Sequence, residues 1–513
     1  MPLAPAEHRV WVLDQKINNR GVYIDAKAAD MALAVVEAEK KRLATDMYRV
    51  TDGMVSSATE VARLTKWIQD RGVRIEGLAK ADVLDALSLE NLPPKVKQAL
   101  LIRQEAGKSS TAKIDKMLDG RSPDGRVRHI LQYHAAGTGR WGGRRVQPQN
   151  LPRPTIDQSD IDGVLDFMGN GATVSDVMAY MRMFCGTPMQ TLASCLRGLI
   201  RAAPGNELIA VDFSAIEARG TAWVAGQQDV LDVFATGADI YCHEASTIFG
   251  RTITKKDKDE RQVGKVAVLA LGFGGGIAAF GTMARGYDVA LEPIYDGLAH
   301  TFTGDELESA ERTYDYYAKL ANAPMSKRAG IAVDIVKQRW RRKNHKVVDL
   351  WGDLNHNAIR AVKEPGKAFT AGAIAYKAAG SFLWCRLPSG RVLCYPYPEI
   401  HETTTSWGKV VETLTYKAID DRTHQWGRVS SYGGKLTENV VQALSRDLLV
   451  DAMLRAEAAG FSIVLHVHDE IVAELPAGSG RLGELVRICA TAPKWAVGFP
   501  MAAEGWASAR YRK

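Results

Sequence analysis

Apolar residues recur at helical spacing through the first part of the chain. In residues 28–50 the apolar residues recur with the helical period and charged residues lie between them, which predicts a long amphipathic helix. The same pattern continues through 58–118, where Gly77 and the pair Pro93 and Pro94 interrupt it. The hydrophobic pattern therefore predicts a helical N-terminal part that is broken at two places.

The central part of the chain combines one strand with a long helical stretch. Residues 136–150 form a loop rich in glycine, arginine and glutamine, and 155–200 are predicted to be an irregular insertion with one helix. An apolar run predicts a strand at 207–214 that leads directly into a helix. Residues 215–360 then have mostly helical spacing.

Strands return near the C-terminus. Residues 385–415 alternate in polarity and contain several prolines, which indicates strands, and a helix is predicted at 436–459. Residues 462–475 hold two apolar runs around a polar pair, which predicts a hairpin. Because no internal repeat is evident, these elements predict an α+β fold with helices in the first and middle parts and strands at two distant places.

Composition narrows the class of protein. A chain of 513 residues corresponds to about three to four domains or lobes at roughly 150 residues each. The hydrophobic fraction of 46% and the charged fraction of 24% are typical of a globular protein and exclude a disordered or collagen-like chain. No apolar run approaches the ~20 residues that span a bilayer, and the first residues lack the basic and apolar regions of a secretory signal.

Charge and cysteine usage add two weaker indications. The net charge of +7 permits a polyanionic partner without requiring one. Six cysteines are scattered without a CxxC pair, which argues against a zinc site or a disulfide framework. Reduced thiols and the missing signal predict a cytoplasmic protein.

The first segment with candidate chemistry is the strand that ends in Asp212. A carboxylate at a strand tip is a common position for a metal ligand. The next residues match a capping box, with Ser214 as N-cap and Glu217 at the third helical position. A plain strand-to-helix turn is an equally open interpretation of this segment alone, and the two are compatible because a capped helix fixes where Asp212 points.

A second segment, His468-Asp469-Glu470, separates the two apolar runs of the predicted hairpin. Three polar residues at a hairpin tip are usually a solvated turn. Here the flanking runs indicate a buried sheet, and the tip lacks the glycine or asparagine that tight turns favour. The segment therefore favours a functional role over a simple turn.

A third segment places Arg261, Lys265, Leu269 and Phe273 at steps of four, on one slowly drifting face of a helix that ends at the glycines 274–276. Taken alone, such a basic face is more often solvated than a phosphate site. The glycines do not resemble a phosphate loop, because anions bind at the start of a helix and these follow its end.

The order of these three segments resembles motifs A, B and C of family A DNA polymerases, the DNA polymerase I type. Residues 138–152 resemble the segment that this family writes as TGR followed by QNxP, and 433–449 resemble the helix before motif C. Residues 11–25 resemble the start of the polymerase region, and 338–351 are similar to bacteriophage members. The resemblance covers about residues 8–510.

The resemblance implies a right-hand polymerase with an antiparallel palm sheet, helical fingers and a helical thumb. It divides the chain into a lead-in (1–25), a thumb (26–130), a first palm part with motif A (131–230), fingers with the motif B helix at about 259–274 (231–384), and a second palm part with motif C (385–513). Only about ten residues precede the matching start, so we expect a polymerase region without a proofreading exonuclease domain, or a fragment of a longer protein.

The activity implied is template-directed addition of dNTPs to a primer 3′ end by two-metal-ion nucleotidyl transfer, in phage or bacterial DNA replication. Asp212, Asp469 and the backbone carbonyl of Phe213 would hold two Mg²⁺ ions, for which Mn²⁺ could substitute. The implied partners are primer-template DNA and dNTPs, and a separate processivity factor or exonuclease is a further candidate. A monomer without a membrane partner is expected.

The resemblance also assigns roles around this metal site. Arg261 and Lys265 would bind the triphosphate, and Lys265 would also protonate the leaving pyrophosphate. Glu217 would exclude ribonucleotides. The remaining residues assigned to the dNTP are Leu269, Phe273 and Tyr241, and those assigned to the primer-template are Arg140, Gln149, Asn150, Gln442, His468 and Glu470, of which Arg140 and Gln442 would contact minor-groove acceptors.

Four positions depart from the family pattern. Leu269 replaces the usual Phe or Tyr, Phe273 replaces a Tyr, Ala215 replaces a Gln, and Tyr241 replaces a His. The Leu269 side chain would pack beside the incoming sugar, so this departure bears on incorporation rate, fidelity and dideoxynucleotide acceptance.

Two alternative functions remain, together with one further expectation. A single-subunit RNA polymerase shares the palm and both aspartates, but Glu217 and the Gln442 helix argue against it, because the ribose 2′-hydroxyl needs room. The intact aspartates and motif B cations argue against a catalytically inactive DNA-binding relative.

The basic residues Arg339, Arg341, Arg342 and Lys343 are predicted either to contact backbone phosphates or to be solvated.

Overall fold

The computed structural model describes residues 3–89, 91–320, 325–404, 408–420 and 423–512. The helices of this part are α1 (Pro5–Arg20), α2 (Ala26–Val50), α3 (Val61–Gln69), α4 (Lys80–Leu87), α5 (Pro94–Ala106), α6 (Ala112–Asp119), α7 (Gln158–Gly169), α8 (Val174–Phe184), α9 (Pro188–Cys195), α10 (Ile216–Ala225), α11 (Gln228–Ala235), α12 (Ile240–Phe249), α13 (Lys258–Leu271), α14 (Ile277–Gly286), α15 (Glu292–Leu298), α16 (Gly304–Leu320), α17 (Lys327–Lys343), α18 (His345–Lys363), α19 (Gly433–Ala458) and α20 (Leu482–Cys489).

The same part of the chain also contains mostly short strands. They are β1 (Val22–Ile24), β2 (Arg126–Val127), β3 (Leu131–Gln132), β4 (Gly142–Gly143), β5 (Ile200–Arg201), β6 (Asn206–Phe213), β7 (Ala368–Ala371), β8 (Ile374–Ala379), β9 (Phe382–Arg386), β10 (Val392–Pro396), β11 (Glu399–Thr404), β12 (Val410–Ile419), β13 (Trp426–Ser430), β14 (Ile463–Val467), β15 (Glu470–Pro476) and β16 (Ala503–Ser508). All strand pairings among the described residues are antiparallel, and the predicted α+β class is confirmed.

The sheet that positions the candidate site has the strand order β14-β15-β6-β16. Its central strand β6 carries four consecutive buried residues, Leu208 to Val211, as expected for a strand that is covered on both faces. On one side this sheet joins a large hydrophobic cluster that also contains the N-terminal helices and the C-terminal half of α19. The candidate site therefore lies at the end of a strand whose centre is buried.

Two further hydrophobic clusters are large, and a small fourth one lies around α11. One is formed largely by α12, α13, α14 and α17, and the other by α18, the strands β8 to β10 and the N-terminal half of α19. Helix α19 contributes Leu436 and Val440 to the latter cluster and Leu444 and Leu448 to the cluster around β6. Because its 26 residues are buried along most of their length, α19 links the two regions.

Most of the predicted elements are confirmed. The amphipathic helix predicted at 28–50 is α2, which the Asp25 side chain caps by accepting the Ala28 N–H at 3.2 Å. The strand at 207–214 is β6, and the helix at 436–459 is α19. The hairpin at 462–475 is β14 and β15.

The single helix predicted within 155–200 is wrong, because this segment forms α7, α8 and α9. Local signals mark the breaks. Gly171 has a φ of +84° just after α7, and Thr173 forms a capping box with Asp176 at the start of α8. Pro188 then begins α9. The strands predicted from 385 begin earlier, since β7 starts at Ala368.

The helices in the described ranges lack membrane-spanning character. None of these helices combines the length and the apolar character that crossing a bilayer requires.

Candidate active site

The two predicted metal-binding aspartates meet at one edge of the central sheet. In the register of β6 and β15, Glu470 lies opposite Asp212. The backbone N–H of Phe213 donates to the carbonyl of Asp469 at 3.1 Å. Asp212 and Asp469 are therefore on neighbouring segments, although most of the helical part of the chain lies between them in sequence.

Asp469 belongs to a tight turn with an unusual backbone. His468 and Asp469 form the two-residue connection between β14 and β15, and His468 has a φ of +55°. Residues other than glycine rarely adopt this left-handed conformation, and holding one in it typically costs about 1–3 kcal/mol at functional sites. The His468 Nε2 atom contacts the carbonyl oxygen of Gln149 at 3.3 Å, which ties the turn to the segment between β4 and α7.

Glu470 is buried, with 1% of its surface exposed, and it accepts a hydrogen bond from the hydroxyl of Tyr511. Burial raises the pKa of Tyr511, and the negative charges of Glu470 and Asp212 add to this shift. The sequence analysis missed Tyr511, because a tyrosine near the end of a chain carries no motif. The tertiary structure alone places it beside the carboxylates.

Arg261 is held by an aspartate that the sequence analysis also missed. Its Nε atom donates to Asp239 Oδ2 at 2.9 Å, and its guanidinium lies 5.2 Å from the centre of the Tyr241 ring. Asp239 also accepts the N–H groups of Tyr241 and Cys242, so it caps α12. Burial lowers the pKa of Arg261, but the hydrogen bonds and charge of Asp239 outweigh this effect and raise it overall. The sequence signal that could have indicated Asp239 is its position just before a run of helical residues, where a capping aspartate is common.

Lys265 lies one turn further along α13, with its Nζ atom 4.4 Å from the centre of the Tyr287 ring. Burial lowers the pKa of Lys265, and the positive charges of Arg153 and Arg261 lower it further. These cations therefore act on one region of space, which favours a polyanionic ligand there. Arg153 and Tyr287 were not predicted, since neither lies in one of the three motifs.

The same face of α13 continues into a cavity. Leu269 is 38% exposed and lines this cavity together with Glu217 and Phe273. The predicted range 259–274 placed Phe273 within the helix. Helix α13 ends at Leu271, so Phe273 lies just beyond it. Leu269 is therefore not a residue of the buried core.

The predicted capping box at Ser214 and Glu217 is wrong. Ala215 has a φ of +50° and precedes the first helical residue, Ile216, and no side chain caps this helix. Glu217 instead forms an ion pair with Arg140, which lies just after Gly139 in the loop between β3 and β4. Two residues predicted from distant motifs are thus in direct contact.

Three of the six predicted primer-template residues, Arg140, Gln149 and His468, line a second cavity beside Asp469. Of the other three, Glu470 bonds to Tyr511 as described above. Gln442 donates to Glu438 at 3.0 Å and Asn150 donates to Gln147 at 3.2 Å, so both bond within their own segments.

Comparison with known sequences identifies the family to which this chain belongs. Residues 37–285 match the sequence model of DNA polymerase family A. Over 511 residues the chain is 34% identical to the DNA polymerase of Bacillus phage SP02, an alignment that covers 99% of this chain and 71% of the relative. The chain belongs to DNA polymerase family A.

Two more distant similarities agree with membership of family A. DNA polymerase I of Chloroflexus aurantiacus is 29% identical over 206 residues, which span 40% of this chain and 18% of the relative. The solved POL domain of Pol1 from M. smegmatis, in complex with DNA primer-template and dNTP, has a TM-score of 0.59 at 15% identity. That alignment covers 99% of this chain and 69% of the solved chain, and it shows a shared fold.

The basic run predicted to contact phosphates has other partners in this family A polymerase. Arg339 is paired with Glu306, and Arg342 reaches the same carboxylate. Arg341 donates to the carbonyl of Gly275 at 3.1 Å, and Lys343 pairs with Glu244. Buried carboxylates and helix-end carbonyls therefore hold Arg339, Arg341 and Lys343, whereas the Arg342 side chain stays 68% exposed.

The carboxylates of the polymerase site have the donor chemistry of a magnesium site. Among the described residues, no group of three or more His, Cys, Asp or Glu side chains could hold a metal ion. Mg²⁺ typically uses only one or two carboxylates and completes its coordination with waters and substrate phosphates. Two aspartates at one sheet edge fit such a shared site better than a metal cage built entirely from protein.

A buried histidine lies beneath this polymerase site. His466 on β14 is 2% exposed, and its ring lies edge-on to Trp141 with 4.6 Å between ring centres. Burial, assisted by the positive charge of Arg446, lowers the pKa of His466 to about 3. The folded protein therefore keeps this imidazole neutral, whereas the unfolded chain protonates it below its ordinary pKa of 6.5.

We expect His466 to make the stability of this polymerase sensitive to acid. Its contribution to the free energy of unfolding is complete above pH 6.5 and decreases as the pH falls toward 3. Between pH 7.5 and pH 5 this residue should account for a loss of about 2 kcal/mol. We therefore expect the free energy of unfolding in urea to fall less between pH 7.5 and pH 5 in His466→Gln than in the wild type, by this amount. The exposed His356→Gln variant should keep the wild-type loss, and an equal loss in His466→Gln would contradict the prediction.

Proposed function

We propose that this chain is a template-directed DNA polymerase that extends a primer 3′ end by two-metal-ion nucleotidyl transfer, in phage or bacterial DNA replication. The observation that carries this proposal is the meeting of Asp212 and Asp469, which the Phe213–Asp469 backbone hydrogen bond holds at one sheet edge. Membership of DNA polymerase family A and the similarity to phage polymerases support it.

In this proposal Asp212, Asp469 and the backbone carbonyl of Phe213 hold two Mg²⁺ ions, for which Mn²⁺ substitutes. When bound, the ions supply charge stabilisation for the attacking 3′-oxygen and for the leaving pyrophosphate. The 3′-oxygen forms a bond to the α-phosphorus of the dNTP as the bond to the bridging β-phosphate oxygen breaks. The rigid sheet keeps both carboxylates in place during this exchange, so little reorganisation is needed.

The cations of α13 are proposed to bind the triphosphate. Asp239 holds the Arg261 guanidinium in a fixed orientation, and Arg153 adds charge near Lys265. The lowered pKa of Lys265 makes its ammonium group a better acid than an exposed lysine. We therefore assign to Lys265 the proton that the leaving pyrophosphate takes up.

The two cavities are proposed to receive the sugar and the primer end. Leu269, Phe273, Glu217 and Tyr241 would surround the incoming dNTP, since three of them line one cavity and Tyr241 lies beside Arg261. The primer-template would contact the residues assigned to it: Arg140, Gln149, Asn150, Gln442, His468 and Glu470. The Pol1 domain of similar fold was solved with DNA primer-template and dNTP, which supports these two partners.

The division into lobes and the cellular context are part of the proposal. Residues 26–130, with α2 to α6, would form the thumb and residues 231–384 the fingers, and the palm would combine 131–230 with 385–513. We propose a monomer that acts in the cytoplasm of a bacterial host, with a separate processivity factor or exonuclease as an additional partner.

A primer-extension assay tests this function directly. The purified chain is incubated with a primer-template and each nucleotide set, with and without Mg²⁺. Extension with dNTPs that requires the metal ion supports the proposal. Preferential extension with rNTPs would favour an RNA polymerase, and template binding without any extension would favour an inactive DNA-binding relative.

Glu217→Ala should increase ribonucleotide incorporation. Glu217 lines the cavity beside Leu269 and would crowd the 2′ position of the sugar, so its removal should make room for a hydroxyl. Because this carboxylate pairs with Arg140 and does not cap α10, the variant should lose little stability beyond a partly exposed ion pair. Single-nucleotide kinetics with a dNTP and its rNTP give the selectivity ratio, and an unchanged ratio would remove Glu217 from sugar selection.

A further inference from the structure

The C-terminal tail of the chain passes directly beneath the catalytic edge of the sheet. After β16, the carbonyl of Ala509 accepts the N–H of Ala202, and the N–H of Tyr511 donates to the carbonyl of Ile200 at 2.9 Å. These bonds fix the tail along β5. The side chain of Tyr511 is fully buried in the large hydrophobic cluster around the sheet.

The hydroxyl of Tyr511 has two charged partners. It donates to Glu470 Oε2 and accepts from Arg197 Nη1 at 3.2 Å. All three side chains are buried, with 6% or less of each residue exposed. A hydroxyl that both donates to a carboxylate and accepts from a guanidinium has one preferred orientation, so it also fixes the orientation of the Glu470 carboxylate.

Glu470 in turn lies beside a proposed metal ligand. It is directly opposite Asp212 in the register of β15 and β6. Opposed residues of antiparallel strands point to the same face, with Cβ atoms about 4.5–5.5 Å apart. The position of the Glu470 carboxylate therefore sets the negative charge next to Asp212.

Arg197 extends the same network to the other side of the site. Its Nη2 atom donates to the carbonyl of Leu151 at 2.9 Å, and its Nε donates to the carbonyl of Pro152 at 3.3 Å. This segment follows Gln149, whose carbonyl contacts the ring of His468. The buried bonds of Arg197 thus reach strand β15 through Tyr511, and the segment 149–152 connects them to the turn that carries Asp469.

We propose that Tyr511 is a positioning residue that orients the Glu470 carboxylate beside Asp212 and thereby strengthens divalent metal binding at the active site. This inference rests on the proposed function, because it requires Asp212 and Asp469 to be metal ligands. Partners that orient the groups around a metal site commonly contribute to affinity as much as a weak ligand does, and their loss typically costs about 10–100-fold.

The test is Tyr511→Phe, which keeps the buried ring and removes only the hydroxyl. Mn²⁺ binding to the purified protein, without DNA or nucleotide, is measured by electron paramagnetic resonance. We expect about a 10-fold weaker affinity. In primer extension, the Mg²⁺ concentration for half-maximal rate should rise, whereas the rate at saturating Mg²⁺ should stay near that of the wild type.

A matched control is Tyr376→Phe, which removes a hydroxyl from another fully buried tyrosine in a separate hydrophobic cluster. This control should leave Mn²⁺ affinity unchanged. In a double-mutant cycle, Tyr511→Phe should have little further effect on Mn²⁺ affinity once Glu470→Gln is present, because the oriented charge is already absent. An undiminished effect in that background would contradict the route through Glu470.

Two outcomes separate this inference from the proposed function. Unchanged Mn²⁺ affinity in Tyr511→Phe, together with strong loss of Mn²⁺ binding in Asp469→Asn, would overturn the positioning role and leave the metal site intact. If Asp469→Asn itself binds Mn²⁺ as tightly as the wild type, the proposed metal site fails. A lowered melting temperature in Tyr511→Phe with unchanged metal affinity would leave Tyr511 a purely structural role.

Discussion

Asp469→Asn and Asp212→Asn should each lower primer extension by about a thousandfold or more. Each substitution preserves side-chain volume and removes a negative charge from the edge where β6 and β15 meet. The ions of a two-metal site contribute several kcal/mol to the stability of the transition state, and ~4 kcal/mol corresponds to about a factor of a thousand in rate. Single-turnover extension rates at saturating primer-template measure this loss directly.

Binding and folding must persist for this result to be informative. Primer-template affinity, measured by fluorescence anisotropy, should change little in both variants, and their melting temperatures should stay close to that of the wild type. Glu207→Gln is a suitable control, because Glu207 lies at the other end of β6 and accepts hydrogen bonds from Ser479. A near wild-type rate in either aspartate variant would show that the site has been misassigned.

Leu269→Tyr should raise the use of dideoxynucleotides by up to ~100-fold, because small errors in the placement of a reacting nucleotide can change rates by this much. A leucine offers neither a flat face nor a hydroxyl to contact the sugar in place of the missing 3′-OH. The wild type should therefore discriminate strongly against dideoxynucleotides and have a moderate rate with dNTPs. Leu269→Phe should raise the dNTP rate without the same change in selectivity.

The position of Leu269 in the fold favours this role over core packing. It is 38% exposed, lines the cavity with Glu217, and lies one turn after Lys265 on α13. A larger ring can therefore extend into open space, so the melting temperature should change little. Overpacking of a buried site would instead cost about 1–3 kcal/mol.

Leu271→Tyr provides the contrast. Leu271 is fully buried two residues later on the same helix, so this variant should lose stability. Single-nucleotide kinetics and melting curves for the variants at 269 and 271 distinguish the two roles. An unchanged dideoxynucleotide selectivity in Leu269→Tyr, with a lowered melting temperature, would remove Leu269 from the active site.

Local sequence was sufficient to predict a feature wherever that feature lies within a single helix or strand. The apolar runs of β6, β14 and β15 and the period of α2 predicted these elements, because their backbone periodicity is visible in any window of the chain. Asp212 and Asp469 stood out for the same reason, since each interrupts an apolar strand at its tip. The order of the three motifs then indicated family A before any tertiary contact was known.

Local patterns failed where the backbone or a partner departed from the usual arrangement. The match to a capping box at Ser214 did not foresee the left-handed conformation of Ala215, which shifts the start of α10. The basic run was expected on the surface, but the buried carboxylate of Glu306 holds Arg339, and only Arg342 remains largely exposed. Neither carboxylate burial nor the φ of a single residue can be read from a spacing rule.

The sequence by itself therefore determined the secondary structure around the site, the candidate carboxylates and cations, and the family. Only the tertiary structure decided which side chains meet. The pairs Arg140–Glu217, Arg261–Asp239 and Tyr511–Glu470 join segments that are separate in sequence. The physical reason is that periodicity is fixed by short-range backbone geometry, whereas an ion pair or a buried hydrogen bond depends on how elements pack after long loops have closed.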